Sequence, residues 1–167
     1  MPFSVDYQEQ VEEAVCLMDQ RAAVSFASDC IERALFAWEV IRPRDVRPRV
    51  AARATVQWLR GAADTETIAQ AGEAASNAAA EADYPELVED TNPELARAIH
   101  AANAASHAAL AAECAARGDD EDLPNAVACA ADLAARAAND PQAERAWQIA
   151  RLTQLLLTHD RSGYFKP

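Results

Sequence analysis

The sequence predicts an all-α protein, folded as a compact bundle of about seven helices. Three observations predict it. Alanine, the strongest helix former, makes up about a quarter of the chain. β-Branched residues are few and there are only four glycines, so sheet is not expected. Between Pro, Gly, Asp and Asn punctuation, apolar residues recur every three or four positions, the period of an amphipathic helix. Small side chains let helix axes approach closely. They also leave a thin hydrophobic core, because burying a methyl group removes little area from water. The three Trp, the four Phe and the Leu and Ile positions must therefore anchor it. At 167 residues the chain reads as one helical domain over 1–160 with a tail at 161–167. The alternative is a short helical-repeat array. Residues 92–120 and 124–160 look loosely alike, but no repeat of fixed period is visible.

The first helix is expected from about Asp6 to Asp19, with Tyr7, Val11, Ala14, Val15 and Met18 on one side. It stops at, or joins, the second helix near Gln20 and Arg21. The second places Ala27, Ile31, Ala34, Leu35 and Trp38 on one face. Asp29 and Arg33, four apart, are spaced for a weak ion pair. Pro43 cannot continue a helix and pushes Arg42 out of the α region. The third helix opens in one of two ways: Asp45 caps it with Pro48 in the first turn, or Arg47 caps it with Pro48 as the first helical residue. Val56 and Leu59, beside Ala51 and Trp58, supply its inner face; Arg49, Arg53, Gln57 and Arg60 form the opposite stripe, and Gly61 is the stop.

Asp64 caps the fourth helix, whose apolar line is Ile68, Ala71, Ala75, Ala78 and Ala82. Gly72 inside it costs about 1 kcal/mol relative to Ala, so a close helix crossing is expected there. Tyr84 and Pro85 end this helix, and an acidic connector follows at 86–90. The fifth helix opens either with a capping box of Thr91 and Glu94 or with Asn92 as cap and Pro93 in first position. It runs to Arg117, with Gly118 as its stop, and alanine on nearly every side makes it the expected centre. After four successive acids, Leu123 and Pro124 start a sixth helix through Val127, Ala130, Leu133, Ala134 and Ala137. Asn139, Asp140 and Pro141 break the chain again, and the last helix carries Trp147, Ala150, Leu152, Leu155, Leu156 and Leu157.

The formal charge is −12 and the pI about 4.6. That argues against binding a nucleic-acid backbone, which needs a basic surface, and suits a basic partner. Four cysteines form neither a C-x-x-C pair nor a zinc-ligand pattern and read as small buried hydrophobes, so no metal or other cofactor is expected. The first residues lack a charged-then-apolar signal and no apolar run approaches a membrane span; the expected compartment is the cytoplasm.

One polar group interrupts an apolar helix. His100, Asn103 and His107 fall on one stripe. Two imidazoles two turns apart are about 10 Å apart along the axis, too far to share one metal directly. Neither has a Glu three residues before it, as a di-iron bundle requires, and no nucleophile stands beside them. The stripe reads as helix–helix hydrogen bonding or partly exposed surface, with Glu73, Ser76 and Asn77 able to face it across a packed pair. No phosphate loop, H-E-x-x-H, G-x-S-x-G or dinucleotide turn occurs. The arginines of the hinge, at 42, 44, 47 and 49, could grip a carboxylate or phosphate. They read better as forks pairing with acids of neighbouring helices.

A helix opening Cys30-x-Glu32-Arg33, a hinge holding Asp45 and Arg47-Pro48-Arg49, and a second helix closing Trp58-Leu59-Arg60-Gly61 resemble the alanine-rich, all-helical immunity proteins encoded beside bacterial polymorphic toxins. The resemblance is firmest over 22–61. It implies a non-catalytic protein that neutralises a cognate toxin by direct binding. Many such toxins are nucleases with basic clefts, which an acidic inhibitor can occupy as a phosphate mimic. On that reading the first candidate contacts are Asp119, Asp120, Glu121 and Asp122, followed by Glu86, Glu89 and Asp90 of the connector. Two other readings are a helical scaffold or interaction module, and a metal-binding or enzymatic bundle built on His100, Asn103 and His107.

Overall fold

The computed structural model describes residues 4–83 and 92–163. Seven helices follow one another through them: α1 Ser4–Cys16, α2 Gln20–Ile41, α3 Arg47–Leu59, α4 Thr65–Ala82, α5 Pro93–Arg117, α6 Leu123–Ala137 and α7 Pro141–Gly163. No strand occurs among the described residues. The bundle has two ends. One carries the α1–α2, α3–α4 and α5–α6 turns; the other carries the α2–α3 hinge, the end of α4, the start of α5 and the α6–α7 turn.

The centre is α5. It packs against α2, α3, α4 and α6, and its buried residues are ten alanines and Cys114. In a repeat array each unit touches only its neighbours, and a helix flanked on four sides makes this a compact bundle instead. Around it the larger side chains close the core: Phe26, Ile31, Leu35 and Trp38 of α2, Ile68 of α4 and Val127 of α6 are all fully buried. The crossing at Gly72 is close. A Cβ there would lie 3.1 Å from Ala109 Cβ and 3.6 Å from the Ser106 carbonyl oxygen of α5.

Side-chain caps set most of the boundaries. Asp19 accepts from the Ala22 N–H at 2.7 Å and separates α1 from α2; Asp64 accepts from Thr67 at 2.8 Å. Asn92, with Pro93 at the first position, accepts from Glu94 and Leu95. Of the two readings of that start, this one holds; Thr91 lies outside the described residues, as do Tyr84, Pro85 and the connector acids Glu86, Glu89 and Asp90. Gly61 (φ 71°) and Gly118 (φ 69°) take the left-handed conformation that ends α3 and α5.

Several expectations need correction. The cap position of α3 is Val46, not Asp45 or Arg47, yet the Asp45 carboxylate reaches the Arg47 N–H at 3.2 Å and satisfies it from one residue further out. The inner face of α3 is Pro48, Ala51, Ala52, Ala54 and Thr55, whose hydroxyl donates to the Ala51 carbonyl; Val56, Trp58 and Leu59 are half-buried. Asp29 and Arg33 do not pair with each other. Both turn to α7, where Asp29 meets Arg151 at 2.7 Å and Arg33 meets Glu144 at 2.9 Å.

The inner side of α7 also differs from its leucine pattern. Ala150 and Leu157 are exposed, and Trp147, Leu155 and Leu156 are half-buried. The buried line is Glu144, Gln148 and Leu152, at helical spacing. Glu144 accepts three N–H donations from Arg33. Gln148 accepts from the Tyr7 hydroxyl and donates to the Ala131 carbonyl at 3.0 Å. Arg145 pairs with the buried Asp132 of α6, which also holds Arg136. Polar groups buried this way must be paired, and here at least one partner of each comes from another helix. α7 is docked through a charged seam.

Candidate partner-binding surface

The loop between α5 and α6 carries Asp119, Asp120, Glu121 and Asp122. Gly118 reverses the chain, and the Asp119 carboxylate accepts from the backbone N–H of Glu121 and of Asp122, each at 3.2 Å. This local turn holds the loop in shape. Asp120 accepts from Gln20 Nε2 at 2.7 Å, tying the loop to the start of α2. Asp120, Glu121 and Asp122 are exposed, and among the described residues no arginine pairs with any of the four acids. Eight other acids do pair. Asp29, Glu32, Glu39, Asp45, Glu81, Glu113, Asp132 and Glu144 each have an arginine partner.

Beside this loop lies an open hollow of about 880 Å³ whose lining includes Met18, Asp19, Ala22, Leu59, Asp120 and Leu155. Leu17, next to it in sequence, is 70% exposed. Apolar side chains beside polar ones of both charges, Arg21 among them, are the usual make-up of a protein interface. The hollow was missed in the sequence because its parts come from four separate segments.

The connector acids Glu86, Glu89 and Asp90 lie outside the described residues, but the helix ends that bracket them are placed. α5 separates Asn92 from Gly118 by its 25 residues, about 37 Å. The acidic loop and the flanks of the connector are therefore at opposite ends of the bundle.

The hinge motif sits at that second end. Arg47 donates to Asp45 at 2.9 and 2.7 Å and to Glu81 of α4 at 3.0 and 2.6 Å. Arg49 reaches back to Glu39 and Glu32 of α2, at 2.8 and 2.7 Å. Pro48 is buried, and Trp38 Nε1 donates to the Asp45 carbonyl at 2.8 Å. The hydrogen bond from Arg47 holds the carboxyls of Asp45 and Glu81 below the usual carboxylate range. Two arginine forks thus bind α2, α3 and α4 to one another. Trp58 lies at the other end of α3, half-buried, with the Arg21 guanidinium 5.7 Å from its ring centre.

His100, Asn103 and His107 share a half-buried stripe of α5. The facing network does not form: Glu73, Ser76 and Asn77 are exposed, and His107 Nδ1 is buried without a partner. Among the described residues no group of three or more His, Cys, Asp or Glu is placed to hold a metal ion. Burial holds both imidazoles below their ordinary range; at His100, Arg136 pushes the same way against Asp132 and Asp83. The unfolded chain therefore binds these protons more readily than the folded one. The contribution to stability is full above the ordinary histidine range near 6.5 and is lost as the pH falls below it. Thermal melts are expected to show a lower Tm near pH 5 than near pH 7, and a His100→Gln, His107→Gln double variant a smaller drop. An identical drop in wild type and variant would assign it to the carboxylates instead.

With the bundle and its acidic end described, comparison with known proteins places the chain. It matches the family described as Imm-5 like putative immunity protein over residues 13–155, and it belongs to that family. The match runs well past the hinge motif and takes in the α5–α6 loop. No curated protein and no solved structure matches the chain. Among the described residues, no helix is long and apolar enough to cross a membrane.

Proposed function

We propose that this chain neutralises a cognate toxin by binding it directly, and that it presents Asp120, Glu121 and Asp122 to a basic surface of that toxin. The observation that carries the reading is the contrast in how acids are used. Eight acids on or beside the helices are tied to arginines, whereas among the described residues those of the α5–α6 loop are held in a fixed turn and have no arginine partner. Such a surface draws in a basic partner and leaves it no competing intramolecular pair to break. A nuclease is the favoured kind of toxin, because its phosphate-binding cleft has the complementary charge. Glu86, Glu89 and Asp90 are the second candidate contact.

The test is co-expression with the product of the adjacent gene in a sensitive host. Rescue of growth, with a complex that co-purifies, is the expected result. A toxic neighbour that is neither neutralised nor bound counts against the reading for that pair. Within a complex, Asp120→Lys, Glu121→Lys and Asp122→Lys together, with Asp119 kept for its turn, are expected to slow association by about tenfold to a hundredfold at low salt. The difference shrinks at high salt. Unchanged kinetics at both salt concentrations would remove the loop from the interface.

A further inference from the structure

A groove of about 370 Å³ lies between α2 and the ends of α5 and α6, at the hinge end of the bundle. Phe36 and Val40, one turn apart on α2, line it and are 69% and 56% exposed. Ala37 and Ala137 add small apolar surface. An exposed aromatic beside an exposed branched aliphatic, bordering a concave surface, marks an interaction site more strongly than a scattered surface residue does.

Two arginines line the same groove, and they differ. Arg33 is committed to Glu144 and lies 4.1 Å from the centre of the Trp147 ring. Among the described residues Arg97 has no carboxylate partner. It donates from Nη1 to the Asn139 side chain, and its Nε is buried without an acceptor. Glu94, three residues earlier on the same helix, also lines the groove but does not pair with it. A half-buried guanidinium that meets no carboxylate among the described residues, on the wall of an open groove, is set to receive one.

We propose that this groove docks a segment of a partner protein in which an apolar side chain is followed by a carboxylate. The apolar side chain packs against Phe36 and Val40, and the carboxylate takes the free donors of Arg97. The site is opposite in charge preference to the α5–α6 loop and lies at the other end of the bundle, so it stands independently of the reading of that loop.

The probe is the blocked peptide acetyl-Gly-Leu-Asp-Gly-amide, titrated into the isotope-labelled full chain and followed by amide chemical shifts. Saturable shifts are expected at Phe36, Val40, Arg97 and Asn139, with a Kd of about 1 mM, the strength a ligand of this size reaches. Replacing the peptide's Asp by Lys is expected to weaken binding about tenfold. Phe36→Ser and Arg97→Gln should each abolish the saturable shifts. Phe36→Ser changes a residue already in water, so it carries the test alone should Arg97→Gln disturb the fold. No saturable shift, an equal response to the Lys peptide, or shifts centred elsewhere would each overturn the proposal.

Discussion

Trp38→Ala is expected to destabilise the bundle by about 3–5 kcal/mol, the largest loss available from a single core position. Trp38 is the largest of the fully buried side chains, and its Nε1 donates to the Asp45 carbonyl where α2 turns into α3. Among so many alanines, few other side chains remove comparable area from water. How far the neighbours collapse into the cavity sets where in that range the loss falls. Against a total stability of about 5–15 kcal/mol, such a loss removes about a fifth of the margin or more. Trp38→Phe keeps most of the burial, loses the hydrogen bond and leaves a smaller void, so about half the effect is expected. Urea unfolding followed by circular dichroism measures both. A loss under about 1 kcal/mol for Trp38→Ala would show that the core is not anchored there.

Asp132→Ala comes second, at about 3 kcal/mol. The Asp132 side chain is 3% exposed and holds Arg136 at 2.7 Å and Arg145 at 2.9 Å. Removing the carboxylate leaves Arg145 without its acceptor, and the Nε of that residue is already buried without one. The expected cost lies at the low end for a broken buried pair, because the side chain of Arg136 is 46% exposed and can turn to water. The loss should appear first as detachment of α7. Amide exchange is therefore expected to speed up along 141–158 before it does in α5. Uniform acceleration through the whole bundle would contradict a local role for the seam.

How much of this was legible in advance depends on how local the cause was. The start of α4 at Asp64, the start of α5 at Asn92 and Pro93 and the stops at Gly61 and Gly118 rest on contacts within a few residues, and those signals are written in the sequence. The centrality of α5 followed from alanine on every side. The inner face of α7 could not be read the same way. Glu144 is buried because Arg33, 111 residues away, meets it, and Gln148 because Tyr7, 141 residues away, does. Helical periodicity scores such residues as outward-facing. The Asp29–Arg33 spacing misled for the same reason, since each found a better partner on α7. At the candidate surface the acids of residues 119–122 stood out as a charge run. The bond from Gln20 and the hollow beside the loop came only with the tertiary fold.

The alanine axle has one further consequence. A methyl group has no torsion that alters its shape, so the interior of α5 holds a single arrangement and cannot be re-seated by rotamer exchange. The distance between the two ends of the bundle stays as α5 sets it, whatever side chains the turns carry. The protein is built like a gauge block, with faces that can be recut and a length that cannot.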